Sequence, residues 1–269
     1  MNIKLIKLAK QTINISENKF YYYNTQKKNL KTNINHPIYI KHNKDSTTLI
    51  TPGIKNNTNN KTMNCNIEVV EESSIDAIIR FSKLYSEDTI GVLNFASAKH
   101  PGGGFLNGAV AQEECLSYCS NLYLKQKNLE YYAINKKYNK FYTDTMIVSQ
   151  VNFFRDTKYN FLEEPIECFV LTCPAVNRKI AGYGKDADLM MKNRMRKILI
   201  EFINYNQTNI ILGAYGCGVF GNKPEQIATF WKELLEDENL KQYFNHITFS
   251  IIGKQNYNSF KKILFDELI

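Results

Sequence analysis

Two short runs carry the residue types that chemistry needs. Asn94-Phe-Ala-Ser-Ala-Lys-His-Pro leads into three consecutive glycines, Gly102, Gly103 and Gly104, and after a spacer of seven residues come Gln112, Glu113 and Glu114. Glycines carry no Cβ, so they allow positive φ and let a backbone lie close to a bulky partner. Successive N–H groups in such a loop can form a nest for an anion; a tight surface turn explains three glycines equally well. Acids in the first turn of a helix are favoured by its dipole, an ordinary structural use. Here they follow a bare backbone, in a segment where Ala109, Val110 and Ala111 imply burial, and that position points to acid–base chemistry. A carboxyl group shielded from water beside a second acid has its pKa raised, which suits a general acid for glycoside-type cleavage. The helix dipole pushes the other way, and the residues alone do not decide which effect wins.

A second loop, Gly213-Ala-Tyr-Gly-Cys-Gly-Val-Phe-Gly-Asn222, has four glycines in ten residues. It follows an apolar run and precedes a helix, the arrangement in which backbone N–H groups hold a diphosphate. No Gly-Lys-Ser or Gly-Lys-Thr follows, so it is not a Walker A loop, and it does not fit the dinucleotide fingerprint. Phe220 reads as a core plug or as a wall against a ligand ring, and two glycine-rich loops at one sheet edge favour the wall. Cys217 reads as a nucleophile or as a packing group. No histidine stands in an obvious partner position, which favours packing.

The elements that must hold these loops follow from periodicity. Ile3, Ile6, Leu8, Ala9 and Ile13 recur at helical spacing, and Tyr21–Tyr23 reads as a short strand. The polar stretch 24–64 reads as short strands and loops, with turns at His36-Pro37 and Thr51-Pro52-Gly53. Strands are expected at 67–70, 90–95, 146–154, 166–172, 210–215 and 247–252. Helices are expected from Ser73 or Ser74 to about Tyr85, from about Val110 to Leu124, over 187–205, from Pro224 to about Glu236, and at the chain end. Met191, Met195, Ile198, Leu199 and Phe202 share one helix face, a pattern of core packing. Strands alternating with helices, several of them continuous apolar runs, predict an α/β sandwich with a largely parallel, buried sheet. In such sheets ligands sit beyond the carboxyl ends of the strands, where both glycine loops fall.

Bulk composition narrows the class. In 269 residues, 43% are apolar, enough for a sizeable core. A net charge of +8 and a pI near 9.0 fit an anionic partner, and equally a lysine-coated surface, since the lysines are spread out. That charge also predicts weak, non-specific affinity for nucleic acid. The six cysteines show no CxxC pair, and the four histidines, His36 and His42 among them, no ligand cluster. Free thiols and no metal site are therefore expected. Lys4, Lys7 and Lys10 interrupt the start of the chain, and no run approaches the roughly 20 apolar residues of a membrane span. A soluble, intracellular protein is expected, in the cytoplasm, with nothing that excludes the nucleus, and with no membrane partner.

At these residues the chain resembles the microbial-type poly(ADP-ribose) glycohydrolases, whose signature is a glycine triplet, a spacer of similar length and Gln-Glu-Glu. Leu93-Asn-Phe-Ala-Ser-Ala, Cys173-Pro-Ala-Val-Asn177, Gly216-Cys-Gly-Val-Phe-Gly-Asn222, Glu114-Cys-Leu-Ser and Ser120-Asn-Leu-Tyr123 are similar to the family as well. Val176 departs from it, since that position is often proline there. The resemblance implies a macrodomain-like three-layer α/β/α sandwich with a mixed, largely parallel sheet and an N-terminal helical extension. It runs over nearly the whole chain in one order, implying one elaborated catalytic domain, 1–269, with an extension over 1–65 and a core over 66–269.

The same resemblance implies release of ADP-ribose from poly(ADP-ribose), from chain ends, with no cofactor. Glu114 would protonate the departing 2′-oxygen of the ribose–ribose bond and then activate water, while Glu113 binds ribose hydroxyls and helps set the pKa of Glu114. Gly102, Gly103 and Gly104 would pack on the distal ribose and the diphosphate. Gln112 belongs to the same signature. Gly216, Cys217, Gly218, Val219 and Phe220 would cradle the diphosphate, with Phe220 against that ribose. Asn94 would orient the acid loop or the ribose. A hydrolase for single ADP-ribose units on proteins and a non-catalytic ADP-ribose reader remain alternatives.

Overall fold

A computed structural model describes residues 2–24, 26–30, 64–85, 90–138 and 140–265, and the backbone of 38–40. The turns expected at His36-Pro37 and Thr51-Pro52-Gly53, and His42, lie outside the described residues. The chain opens with α1 (Ile3–Asn18), β1 (Phe20–Tyr23), β2 (Gln26–Asn29), β3 (Ile38–Ile40) and β4 (Asn66–Val70). Next come α2 (Ser74–Leu84), β5 (Ile90–Phe95), α3 (Gln112–Cys119), α4 (Leu122–Gln126), α5 (Glu130–Lys137), β6 (Met146–Arg155) and β7 (Phe161–Cys173). α6 (Arg178–Ala181), α7 (Lys185–Asn204), β8 (Asn209–Leu212), α8 (Pro224–Lys232), β9 (His246–Ser250) and α9 (Lys254–Phe265) complete it.

The main sheet runs β3-β6-β7-β5-β8-β9-β4. Four of its six strand pairs are parallel, and β6 joins β7 and β3 antiparallel, so the sheet is mixed and largely parallel. Side chains alternate across it with the two-residue period of a strand. Val92, Val170 and Ile211 pack with Ile78 and Phe81 of α2 and Leu116 of α3. Leu93, Leu171 and Leu212 pack on the other face with Met191, Met195, Ile198, Leu199 and Phe202 of α7. The methionines are core, as their spacing predicts, and the three layers are those expected. β1 and β2 form a separate hairpin that includes the expected Tyr21–Tyr23 strand.

Several elements differ from their expected form. α1 buries Leu5, Ala9, Thr12, Ile15 and Ser16 and leaves Ile3 in water, because its neighbours are a buried arginine and a tyrosine carbonyl that need polar partners. The helix expected over 110–124 is two helices. Ser120 adopts extended backbone and bridges to Phe153, while its hydroxyl donates to Leu116 O (2.7 Å) and accepts from Leu122 N (3.1 Å). A side chain that satisfies both helix ends makes the break inexpensive. α5 was not expected. α2 starts as predicted, with Ser73 and Asp76 bonded reciprocally in a capping box. Pro224 opens α8, where its missing N–H costs nothing. Among the described residues, no helix is long and apolar enough to cross a membrane.

Candidate active site

The parallel strands β5, β7, β8 and β9 end at Phe95, Cys173, Leu212 and Ser250, and their carboxyl ends converge on a cavity of about 900 Å³. Gly103, Gly104, Gln112, Glu113 and Glu114 line one side of it, and Gly216, Gly218, Val219 and Phe220 another. The two glycine loops share one cleft, as their places in the sequence predict.

Gln112 pins the start of α3 to β5. Its Oε1 accepts from Phe95 N (2.9 Å) and its Nε2 donates to Leu93 O (2.8 Å), with a further bond to Ser74 Oγ (3.2 Å). Its amide is thus engaged by the strand it anchors. Glu113, 3% exposed, accepts from Ser97 N (2.7 Å) and Asn94 Nδ2 (3.4 Å). Glu114, 8% exposed, accepts from Gly104 N (2.7 Å). Asn94 is buried at the end of β5 and also reaches Thr172 Oγ1 (3.2 Å); it does not line the cavity, so it orients Glu113 from behind.

The glycine triplet folds over the acids. Gly103 has φ +59°, and a Cβ there would lie 2.3 Å from Glu114 Oε1 and 3.0 Å from Glu113 Oε2. Gly102 has φ +63°, a second backbone that only glycine adopts easily. The Gly103 N–H donates to His100 O (3.0 Å) and that of Gly104 to Glu114. Of the two uses open to three glycines, the triplet forms a tight turn, and its Gly104 N–H is engaged by the protein's own Glu114. The source of burial differs from the one expected. Ala109, Val110 and Ala111 are exposed; the covering loop and the strand ends bury the acids.

Burial pushes the pKa of Glu113 up to about 8, helped less strongly by the charge of Glu114, against its bonds from Ser97 and Asn94. Desolvation therefore outweighs the hydrogen bonds that favour the charged form, and the first acid of the pair holds a proton at neutral pH.

The second loop is built differently. Gly216 has φ +73°, and a Cβ there would lie 2.5 Å from that of Ala175. Asn222, a residue the sequence reading left without a role, closes the loop: its Nδ2 donates to Val176 O (2.9 Å) and Gly216 O (3.1 Å), and its Oδ1 accepts from Arg178 Nε (3.0 Å). Arg178 is itself held by Asp188 (2.7 Å), and its own N–H donates to Phe220 O (2.8 Å). The N–H groups of Gly218, Val219 and Phe220 meet no acceptor among the described residues, so they are available to an anion. Phe220 lines the cavity and also packs on the core, 6.0 Å from the Tyr142 ring, so it is wall and plug together. The Cys217 side chain turns away, packing on the core beside Tyr215 O (3.8 Å), and burial pushes its thiol up to about 12. A nucleophilic role is thereby disfavoured. No group of three or more metal-ligating side chains occurs among the described residues.

Acids shielded from water beside backbone donors left open for an anion fit the class of enzymes that do acid–base chemistry on a phosphate-bearing ligand. Residues 9–156 match the family model described as microbial-type PARG, catalytic domain. The poly(ADP-ribose) glycohydrolase of Thermomonospora curvata is 30% identical with a TM-score of 0.86, over 97% of this chain and 99% of that one. Its complex with the inhibitor ADP-HPD is 28% identical with a TM-score of 0.81, over 96% and 98%. The Deinococcus radiodurans enzyme in complex with ADP-ribose is 34% identical with a TM-score of 0.69, over 76% and 86%. No curated protein matches the chain. The chain belongs to the microbial-type poly(ADP-ribose) glycohydrolase family, enzymes that hydrolyse the bonds of ADP-ribose polymers.

Proposed function

We propose that this enzyme binds the terminal ADP-ribose of a poly(ADP-ribose) chain in the cleft and releases it, one unit at a time, with Glu114 as the catalytic residue. The bond cut joins C1″ of the bound unit to the 2′-oxygen of the next adenosine. Glu114 passes a proton to that oxygen as the bond breaks, then takes one from the water that attacks C1″. Glu114 is the more open acid of the pair, which supports its contact with the reacting atoms. Glu113 holds ribose hydroxyls, and the proton it keeps at neutral pH passes to Glu114 as substrate binds, so that Glu114 carries it to the leaving oxygen. The open N–H groups from Gly218 to Phe220 take the diphosphate. We read 1–269 as one unit, since α1 packs against Phe105 and Tyr118 beside the acid loop. Its expected place is the cytoplasm, which suits six free cysteines.

The observation that carries this reading is the shared cavity, with buried acids on one wall and open backbone donors on another. Glu114→Gln keeps the acceptor for Gly104 N–H and removes the carboxyl that delivers the proton. It is expected to lower turnover by about a hundredfold or more while ADP-ribose still binds in calorimetry. Turnover that survived the substitution would assign the proton to another group.

A further inference from the structure

The loop between the glycine triplet and the acids carries two large apolar side chains in water. Leu106 is 45% exposed and Val110 66%, and both line the cavity with Glu113 and Glu114. Their loop is bolted on every side. Gly104 O accepts from Asn107 N (2.9 Å) and Ala109 N (3.2 Å), folding the segment back on itself. The Tyr118 hydroxyl of α3 reaches both Phe105 O (3.0 Å) and Ala109 O (3.1 Å). Asn2 packs under Gly108, where a Cβ would lie 2.8 Å from the Asn2 carbonyl. The loop's first N–H, that of Gly104, ends on Glu114 itself. Apolar side chains held in water carry a hydration cost that burial against a partner relieves, and exposed apolar surface in a cleft marks a binding site.

The bond being cut identifies the partner. On the hydrolase reading above, the leaving group is an adenosine departing through its 2′-oxygen. Its purine sits on C1′, the carbon next to the one that bears that oxygen. A base so near the reacting bond comes within reach of the wall that carries Leu106 and Val110. We propose that these two side chains form a subsite for the purine of the leaving adenosine, with Asn107, also exposed and lining the cavity, bonding its polar edge. The apolar pair supports the flat face of the base, and an asparagine amide matches the adjacent donor and acceptor of adenine. Such a subsite selects polymer over ADP-ribose attached to an amino acid, whose leaving group has no base.

The test is the double variant Leu106→Ser/Val110→Ser, assayed for KM on polymer and for Ki of ADP-ribose as a competitive inhibitor. Both positions face water, so the fold should tolerate the change, and an unaltered Ki verifies the cleft. The expected result is a KM raised about tenfold, the loss of the two apolar contacts, with Ki within twofold of wild type. An unchanged KM overturns the proposal. So does a parallel rise in KM and Ki, which would assign the pair to the bound ADP-ribose rather than to the leaving unit. If the unaltered enzyme released nothing from polymer, the hydrolase reading itself would fall, and the subsite with it.

Discussion

Glu113 and Glu114 adjoin in sequence, yet their surroundings divide the work. Glu113 lies deeper, among Ser97, Asn94 and the strand ends; Glu114 stands under the glycine loop. The shift on Glu113 carries a pH signature with a definite sign. An unfolded glutamate ionises near 4.5, whereas the folded protein keeps this proton to about 8. Below the lower value both states are protonated and no penalty exists. Between the two the unfolded chain has released a proton that the folded chain retains, so stability falls as pH rises, by a total on the order of a few kcal/mol. Above the higher value the slope ends. Glu113→Gln should flatten this slope in denaturant titrations from pH 4.5 to 8, and an unchanged slope would deny the shift. At this scale the sequence was partly legible. Residue types and spacing located the dyad, but the raised pKa was read from Ala109–Ala111, which face water. Burial came instead from Gly103 closing over both carboxylates, a contact that depends on a φ no spacing reveals. Cys217 was legible as packing, since no histidine stood near it in sequence, and its side chain does pack on the core.

Among the elements, α1 and β6 brace the acid helix from behind. Arg155 is 1% exposed and donates to Thr12 Oγ1 (2.6 Å), Gln11 Oε1 (2.9 Å) and Tyr118 O (3.3 Å), and burial lowers its pKa to about 10. It therefore ties α1 to the far end of α3 through neutral partners. Arg155→Ala removes the donor to the buried Thr12 hydroxyl and one of two donors to the Tyr118 carbonyl, and it opens a cavity, which should cost roughly 2–4 kcal/mol. Equilibrium unfolding measures this directly; a loss below 0.5 kcal/mol, the size of an ordinary surface change, would contradict the bracing role. Helices and strands with strong periodicity were legible, α7 and β5 above all, because one core fixes both pattern and position. The face of α1 was not, since it buries Thr12 and Ser16 for their hydrogen bonds, and polar burial leaves no hydrophobic trace. The break at Ser120 was hidden similarly: serine reads as neutral until its hydroxyl is seen serving two helices.

For the molecule as a whole, the sheet does what neither loop does alone. Strands distant in sequence end together, so the acid dyad after β5 and the open N–H groups after β8 face one cavity. That convergence was legible, because glycine loops following apolar runs fall at the carboxyl ends of parallel strands. The antiparallel joining of β6 and β7, and the apolar lip of Leu106 and Val110, needed the assembled structure, since pairing direction and exposure arise from long-range packing. On the function proposed above, this cleft removes ADP-ribose from polymer ends. The most direct test supplies polymer-modified and mono-modified protein side by side and identifies the early products by mass. Free ADP-ribose is expected from the polymer in the first turnovers, with chains shortening a unit at a time. Release confined to the mono-modified substrate, or polymer bound with no product formed, would contradict it.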